Sequence, residues 1–186
     1  MLKIGFVDFI DFLEKTSPPE SVTSRLEKLK SLRERPDYHP EPNTFEHLRI
    51  VTERLMLTGD IDLVFAGCLH DLFKLDTLRI NEKTGFPTCP NHDTEVAKFI
   101  LESEEVKEWI LRYSGNVETI SSLCKDHMRF HRFDQMKESK QQEFKSRPHW
   151  NKLEYLGAAD NMIEEFDINN IQKSWKWSSL REKNTI

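Results

Sequence analysis

Ile61–Lys74, IDLVFAGCLHDLFK, decides the fold. It is almost wholly apolar, reads as a central helix buried on all sides, and yet ends on His70-Asp71 and Lys74. A carboxylate and an imidazole in such surroundings are costly to bury unless something compensates them. A metal ion is the natural compensation, because it keeps Asp71 ionised and His70 neutral.

Working outward, Asn43-Thr44 offers a helix cap, and helix is expected from there through Leu57, ended by Thr58-Gly59-Asp60. Leu75 to Asn91 reads as a long loop with Gly85, Pro87 and Pro90, of the kind used as a lid or binding loop. Apolar residues at helical intervals predict helices over His92–Glu102, Val106–Tyr113, Val117 to about Phe133, and Trp150–Phe166. Asp134 to Pro148 is polar and reads as an arm or a short helix; a last short helix carrying Trp175 or Trp177 is expected near the end. Towards the N-terminus, Ile4–Lys15 and Glu20–Arg35 read as helices. The proline-punctuated PDYHPEP (36–42) then connects them to the body, so residues 1–42 form a helical extension packed on the body 43–186. The class is all-α.

Composition agrees. Among 186 residues, only 6 are Gly and 8 Pro, too few turn residues for a many-stranded sandwich or barrel. Mean hydropathy is -0.64, but 12 Phe, 4 Trp and 3 Tyr supply core material. A net charge of -5 makes bulk nucleic acid an unlikely partner. The 3 cysteines form no CxxC pair, which excludes a disulfide framework and a Cys-rich zinc module and suggests a reducing compartment. No apolar run reaches the roughly 18 residues of a membrane span. Asp8 and Asp11 interrupt the apolar N-terminus, so a cytoplasmic protein is expected.

Histidines and aspartates recur along the body: His47, His70-Asp71, His92, His127 and Asp160. The separations are 23, 21, 35 and 33 residues (47 to 70, 71 to 92, 92 to 127, 127 to 160), each about one helical hairpin. Successive helices could thus aim one group each into a common cavity. His/Asp ligation without thiolates suits Fe, Mn, Zn, Co or Ni more than a structural zinc, and the set is large enough for two ions. As hydrogen-bonded core polars these residues would need no metal; His131 could replace His127 as a ligand. Cys68 and Cys124 read as core residues, and His39 and His149 as packing residues in connectors. Asp60-Ile61-Asp62 is a DxD by letters only, since it starts a helix.

This ordered set resembles the HD-domain superfamily of metal-dependent phosphohydrolases, whose motif is H…HD…D with two further histidines in the two-metal branch. AGCLHDLFK (66–74) resembles its LLHDIGK segment, Asn91-His92-Asp93 with Val96-Ala97 its GHE…GA segment, and LGAADNM (156–162) its final helix. The likeness covers Asn43 to about Glu165. The insert with Gly85-Phe86 is most similar to the HD region of CCA-adding tRNA nucleotidyltransferases, without the transferase head; the GYP signature of cyclic-di-GMP phosphodiesterases is absent. Phe73 departs from the small residue usual between HD and Lys.

The resemblance implies an HD-domain helical bundle holding one or two divalent ions (Mn, Fe, Co, Ni, Mg or Zn). One ion would take His47, His70, Asp71 and Asp160; the second would take Asp71, His92 and His127. Water activated there would attack a phosphate ester of a nucleotide or similar compound. Asp71 and Lys74 would be catalytic, with Lys74, Arg129, His131 and Arg132 meeting substrate phosphate. Two alternatives stay open: a non-catalytic HD module that binds a nucleotide or a protein, and a di-iron oxygenase on the same scaffold.

Overall fold

The computed structural model describes residues 5–33, 40–83, 85–161 and 166–171. Among them run nine α-helices and one two-stranded ladder, so the all-α expectation holds. They are α1 (Phe9–Thr16), α2 (Glu20–Leu29), α3 (Thr44–Met56), α4 (Ile61–Leu69), α5 (His92–Glu102), α6 (Glu104–Arg112), α7 (Val117–Phe130), α8 (Glu138–Lys145) and α9 (Trp150–Asp160). No helix among the described residues is long and apolar enough to cross a membrane.

Short polar side chains cap the starts of α3, α4 and α7. Asn43 Oδ1 accepts the Glu46 N–H at 2.9 Å, Asp60 Oδ1 that of Asp62 at 3.0 Å, and Asn116 Oδ1 that of Thr119 at 2.8 Å. Each satisfies an N–H that the helix itself leaves without a partner.

α4 is the hub, buried along its whole length from Asp62 to Leu69. It packs most extensively on α3 and also meets α7 and α9, while α5 lies along α7. Two glycines allow the close approaches. A Cβ on Gly67 would come within 2.9 Å of Leu55 Cδ1 and 3.1 Å of Thr52 Cα, so glycine lets α4 press on α3. A Cβ on Gly157 would come within 2.2 Å of the Phe130 ring, so glycine seats α9 against α7. The first contact brings His47 beside His70; the second carries Asp160 towards the end of α7.

α1 and α2 share this core. Phe12 meets the rings of Phe65 and Trp109, Phe9 meets Phe45, and Val22, Leu26 and Leu29 are buried. Arg25 of α2 lies over Phe73 at 4.4 Å and pairs with Asp76 at 3.4 Å, which ties α2 to the chain just after His70-Asp71.

Several boundaries differ from the sequence reading. α1 starts at Phe9, capped by Asp8. The helix expected to reach Lys74 ends at Leu69 and continues as tighter turns, with Leu72 N–H on Leu69 O and Lys74 N–H on Asp71 O, both at 3.0 Å. Such i→i−3 tightening is common where helices end. The 75–91 loop contains an antiparallel ladder, β1 (Arg79–Ile80) with β2 (Pro87–Thr88). The hairpin walls a cavity of about 320 Å³ lined by Phe73, Asp76, Thr77, Arg79, Asn91 and Glu95, among others. The 134–148 stretch takes the short-helix form: α8 is anchored by Phe144, whose ring contacts Phe133 and Trp150 in the core. Residues 36–39 of the expected connector, the helix ends at 34–35 and 162–165, and Trp175 and Trp177 lie outside the described residues.

Candidate metal centre

Five helical segments converge on one point. α3 supplies His47, the turns after α4 supply His70 and Asp71, α5 opens with His92, α7 supplies His127, and α9 ends on Asp160. All six side chains are buried.

Asp71 divides its carboxylate between two pairs of imidazoles. Its Oδ2 lies 3.5 Å from His47 Nε2 and 3.4 Å from His70 Nε2. Its Oδ1 lies 3.0 Å from His92 Nε2 and 3.5 Å from His127 Nε2. Asp160 Oδ1 sits 2.9 Å from His47 Nε2 and 3.6 Å from His70 Nε2. Two groups of ligand atoms therefore stand close enough to hold a metal ion: His47, His70 and Asp71, and Asp71, His92 and His127.

Each ring is oriented from behind through Nδ1. That of His70 donates to Gly67 O at 3.0 Å, that of His92 to Cys89 O at 2.6 Å, and that of His127 to Cys124 O at 2.6 Å. His47 donates to the Glu41 carboxylate at 3.2 Å. A ring whose Nδ1 carries the proton presents a lone pair at Nε2 when neutral. Yet the Nε2 atoms of His47 and His70 face each other at 3.3 Å, and those of His92 and His127 at 3.2 Å. Lone pairs brought together this way repel unless a cation or a proton stands between them. Asp71 Oδ1, buried, receives no hydrogen bond. Neutral imidazoles fixed from behind and a bare carboxylate oxygen are the donor set a divalent ion asks for, so the residues present fit a metal.

The carboxylates and imidazoles of the centre shift one another. Burial works against charging His47, but the carboxylates of Asp160 and Glu41 outweigh it and raise the ring to about 9. His70 is raised to about 10 against the same burial, by Asp71 and Asp160. Burial would also push the two aspartates up; Lys74 and His70 nevertheless hold Asp71 well below the carboxylate range, as His131 and His70 do for Asp160. Burial lowers His127. The carboxylates around His47 and His70 thus favour positive charge at that half of the centre.

The other named residues are placed as follows. Lys74 is buried, with Nζ 2.8 Å from Asp71 Oδ2. His131 Nε2 donates to Asp160 Oδ2 at 2.6 Å and is 27% exposed, more open than the groups inside. Arg129 lies over the Phe144 ring at 4.6 Å, and Arg132 is exposed. Cys68 and Cys124 are buried, and burial pushes both thiols up.

Two features escaped the sequence reading. Glu41 sits in the connector and makes its contact only through folding; an acid six residues before a histidine carries no signal. Asp126, beside His127, is buried and binds Arg147 as well as His149 Nε2, the latter at 2.7 Å. His149 is thus held by a carboxylate as well as by packing, and α8–α9 is fastened to α7.

The chain is 26% identical over 131 residues to the multifunctional CCA protein of Xylella fastidiosa strain M23, covering 69% of this chain and 30% of that protein. The same protein of strain 9a5c aligns at 25% identity over 130 residues. The chain spans less than a third of the length of these relatives. No family model and no solved structure matches it. The helical bundle with its His/Asp cluster fits an HD-like metal site.

Proposed function

We propose that this chain is an HD-type metal-dependent phosphohydrolase that cleaves a phosphate ester of a nucleotide or similar small phosphorylated compound. The division of Asp71 between His47–His70 and His92–His127 carries the reading, because a shared carboxylate with imidazoles on each side suits a pair of divalent ions. Under this reading His47, His70, Asp71 and Asp160 hold one ion, and Asp71, His92 and His127 the other. Divalent ions bound there lower the pKa of water and offset charge on phosphoryl oxygens.

The chain's own groups do the rest. Lys74 keeps a positive charge at Asp71 Oδ2, where an incoming phosphate oxygen can compete for it. His131 presents its ring at the more open side while its Nε2–H orients Asp160. Arg129 and Arg132 follow on the same stretch and supply further phosphate contacts, Arg129 after leaving the Phe144 ring. The nucleotide preference is supported by the similarity to the CCA protein alone.

A phosphate-release panel over nucleotides, cyclic nucleotides and dinucleoside polyphosphates tests this, with Mn, Co, Ni, Mg and Zn supplied separately. Release is expected with at least one metal. Asp71→Ala should abolish it while the circular dichroism stays helical, and an Asp71→Ala variant as active as wild type overturns the mechanism. Substrate affinity without product under every metal would mark a binding module, and a tightly held mixed-valence iron pair would mark an oxidising enzyme.

A further inference from the structure

We propose that Glu41 is a positioning residue for the centre: its carboxylate fixes His47 with Nε2 towards Asp71 and Asp160, and makes the His47 half hold a divalent ion more tightly than the His92 half. This rests on the metal-binding part of the reading above, not on hydrolysis.

The two halves are built differently. Behind His92 and His127 stand backbone carbonyls, those of Cys89 and Cys124. Behind His47 stands a full carboxylate, 3.2 Å from Nδ1 and 3% exposed. A carboxylate behind an imidazole fixes its tautomer and makes the opposite nitrogen a stronger ligand than a neutral carbonyl does. Negative charge is distributed the same way. The His47 half faces Asp71 Oδ2 and Asp160 Oδ1, with Glu41 behind; among the described residues the carboxylate oxygen facing the His92 half is Asp71 Oδ1. Two cations partly offset this. Lys74 sits on Asp71 Oδ2, and the half-buried Arg54 feels both Glu41 and Asp160 while donating to Ala159 O at 2.9 Å. The carboxylate surplus on the His47 side remains.

Location makes Glu41 informative. It lies before α3, outside the 43–165 stretch that carries the family likeness, on the connector from α2. Beyond its packing on the core, the N-terminal segment thus reaches the centre through the Glu41 side chain.

Titration of the metal-free protein with Co²⁺, followed by calorimetry and by the cobalt d–d absorption, tests the inference. Wild type should bind two ions in unequal steps. Glu41→Gln keeps the shape and an acceptor oxygen but loses the charge; it should weaken the tighter step by roughly 10-fold or more and leave the weaker step in place. Glu41→Asp should recover part of the loss. In a His127→Asn background, which disables the other half, the same Glu41→Gln change should weaken the single remaining site alike. Unchanged affinity in Glu41→Gln, or equal weakening of both steps, overturns the proposal. A wild type that binds no Co²⁺ overturns this and the metal reading together. Cobalt binding with the Glu41 effect but no phosphate release in any panel overturns the hydrolase alone.

Discussion

Asp62 and Asp71 stand at opposite ends of the α4 segment, both buried, and the protein treats their charges differently. Asp62 is answered on both oxygens: Lys152 Nζ reaches Oδ2 at 2.6 Å, and the Asn116 N–H reaches Oδ1 at 2.7 Å. The same lysine meets Asp60 at 2.8 Å, so α4, α7 and α9 are braced at one point. Asp71 has Lys74 on one oxygen, while the other is left among imidazole nitrogens without a hydrogen bond. One carboxylate is a finished structural tie; the other is balanced only when a cation joins it. A buried charge is evidence of function when its own chain leaves it incomplete.

The largest test is metal removal. Saturating Mn²⁺ at about a thousand times its dissociation constant adds about 4 kcal/mol, which raises the melting temperature of a domain this size by on the order of 10 °C. Asp71→Asn should erase the difference between Mn²⁺ and chelator in a thermal melt, and Asp62→Asn should keep it. The reverse pattern would break the comparison.

Next is pH. His47 and His70, raised to about 9 and about 10 in the metal-free protein, must lose their protons before they can ligate. Divalent-ion affinity should therefore climb from pH 7 towards 9, by up to about 100-fold per unit if both protons leave. Raised pKa values stabilise the metal-free fold below the unfolded value of about 6.5. That contribution fades as pH rises through 9 and 10, so metal-free stability should fall over the range in which metal affinity rises. Calorimetry in buffers of different ionisation enthalpy should register proton release on binding; none at pH 7 would mean the rings are already neutral.

Asp62→Ala strands the Asn116 N–H and leaves Lys152 with Asp60 as its remaining carboxylate, and should cost about 1–3 kcal/mol in chemical denaturation with metal uptake unchanged. The smallest effect concerns Asn91, whose φ of 63° sets up the start of α5 and so the His92 side. Asn91→Gly should be near neutral and Asn91→Ala should cost about 1 kcal/mol, read from the same denaturation curves.

Much of this was legible in the chain. The apolar run 61–69 could only be a hub helix, and His70-Asp71 at its end could only be tolerated with compensation. The spacing of His47, His92, His127 and Asp160 placed each on its own helical segment, and the structure brings them to one point. Asp126, Arg147 and His149 were not legible as a unit, because ion pairs between distant residues leave no periodicity to read. Nor was the seat of α8: KESKQQEFK looks solvated until Phe144 is seen among Phe133 and Trp150.

The sequence by itself determined the helical class, the hub and the residue types able to hold a cation, since burial pattern and ligand chemistry are properties of local composition and order. Only the tertiary structure decided which oxygen of Asp71 faces which imidazole, that Glu41 stands behind His47, and that Asp62 is satisfied where Asp71 is not. Those outcomes depend on distances between segments far apart in the chain, set by how closely helices can approach at Gly67 and Gly157.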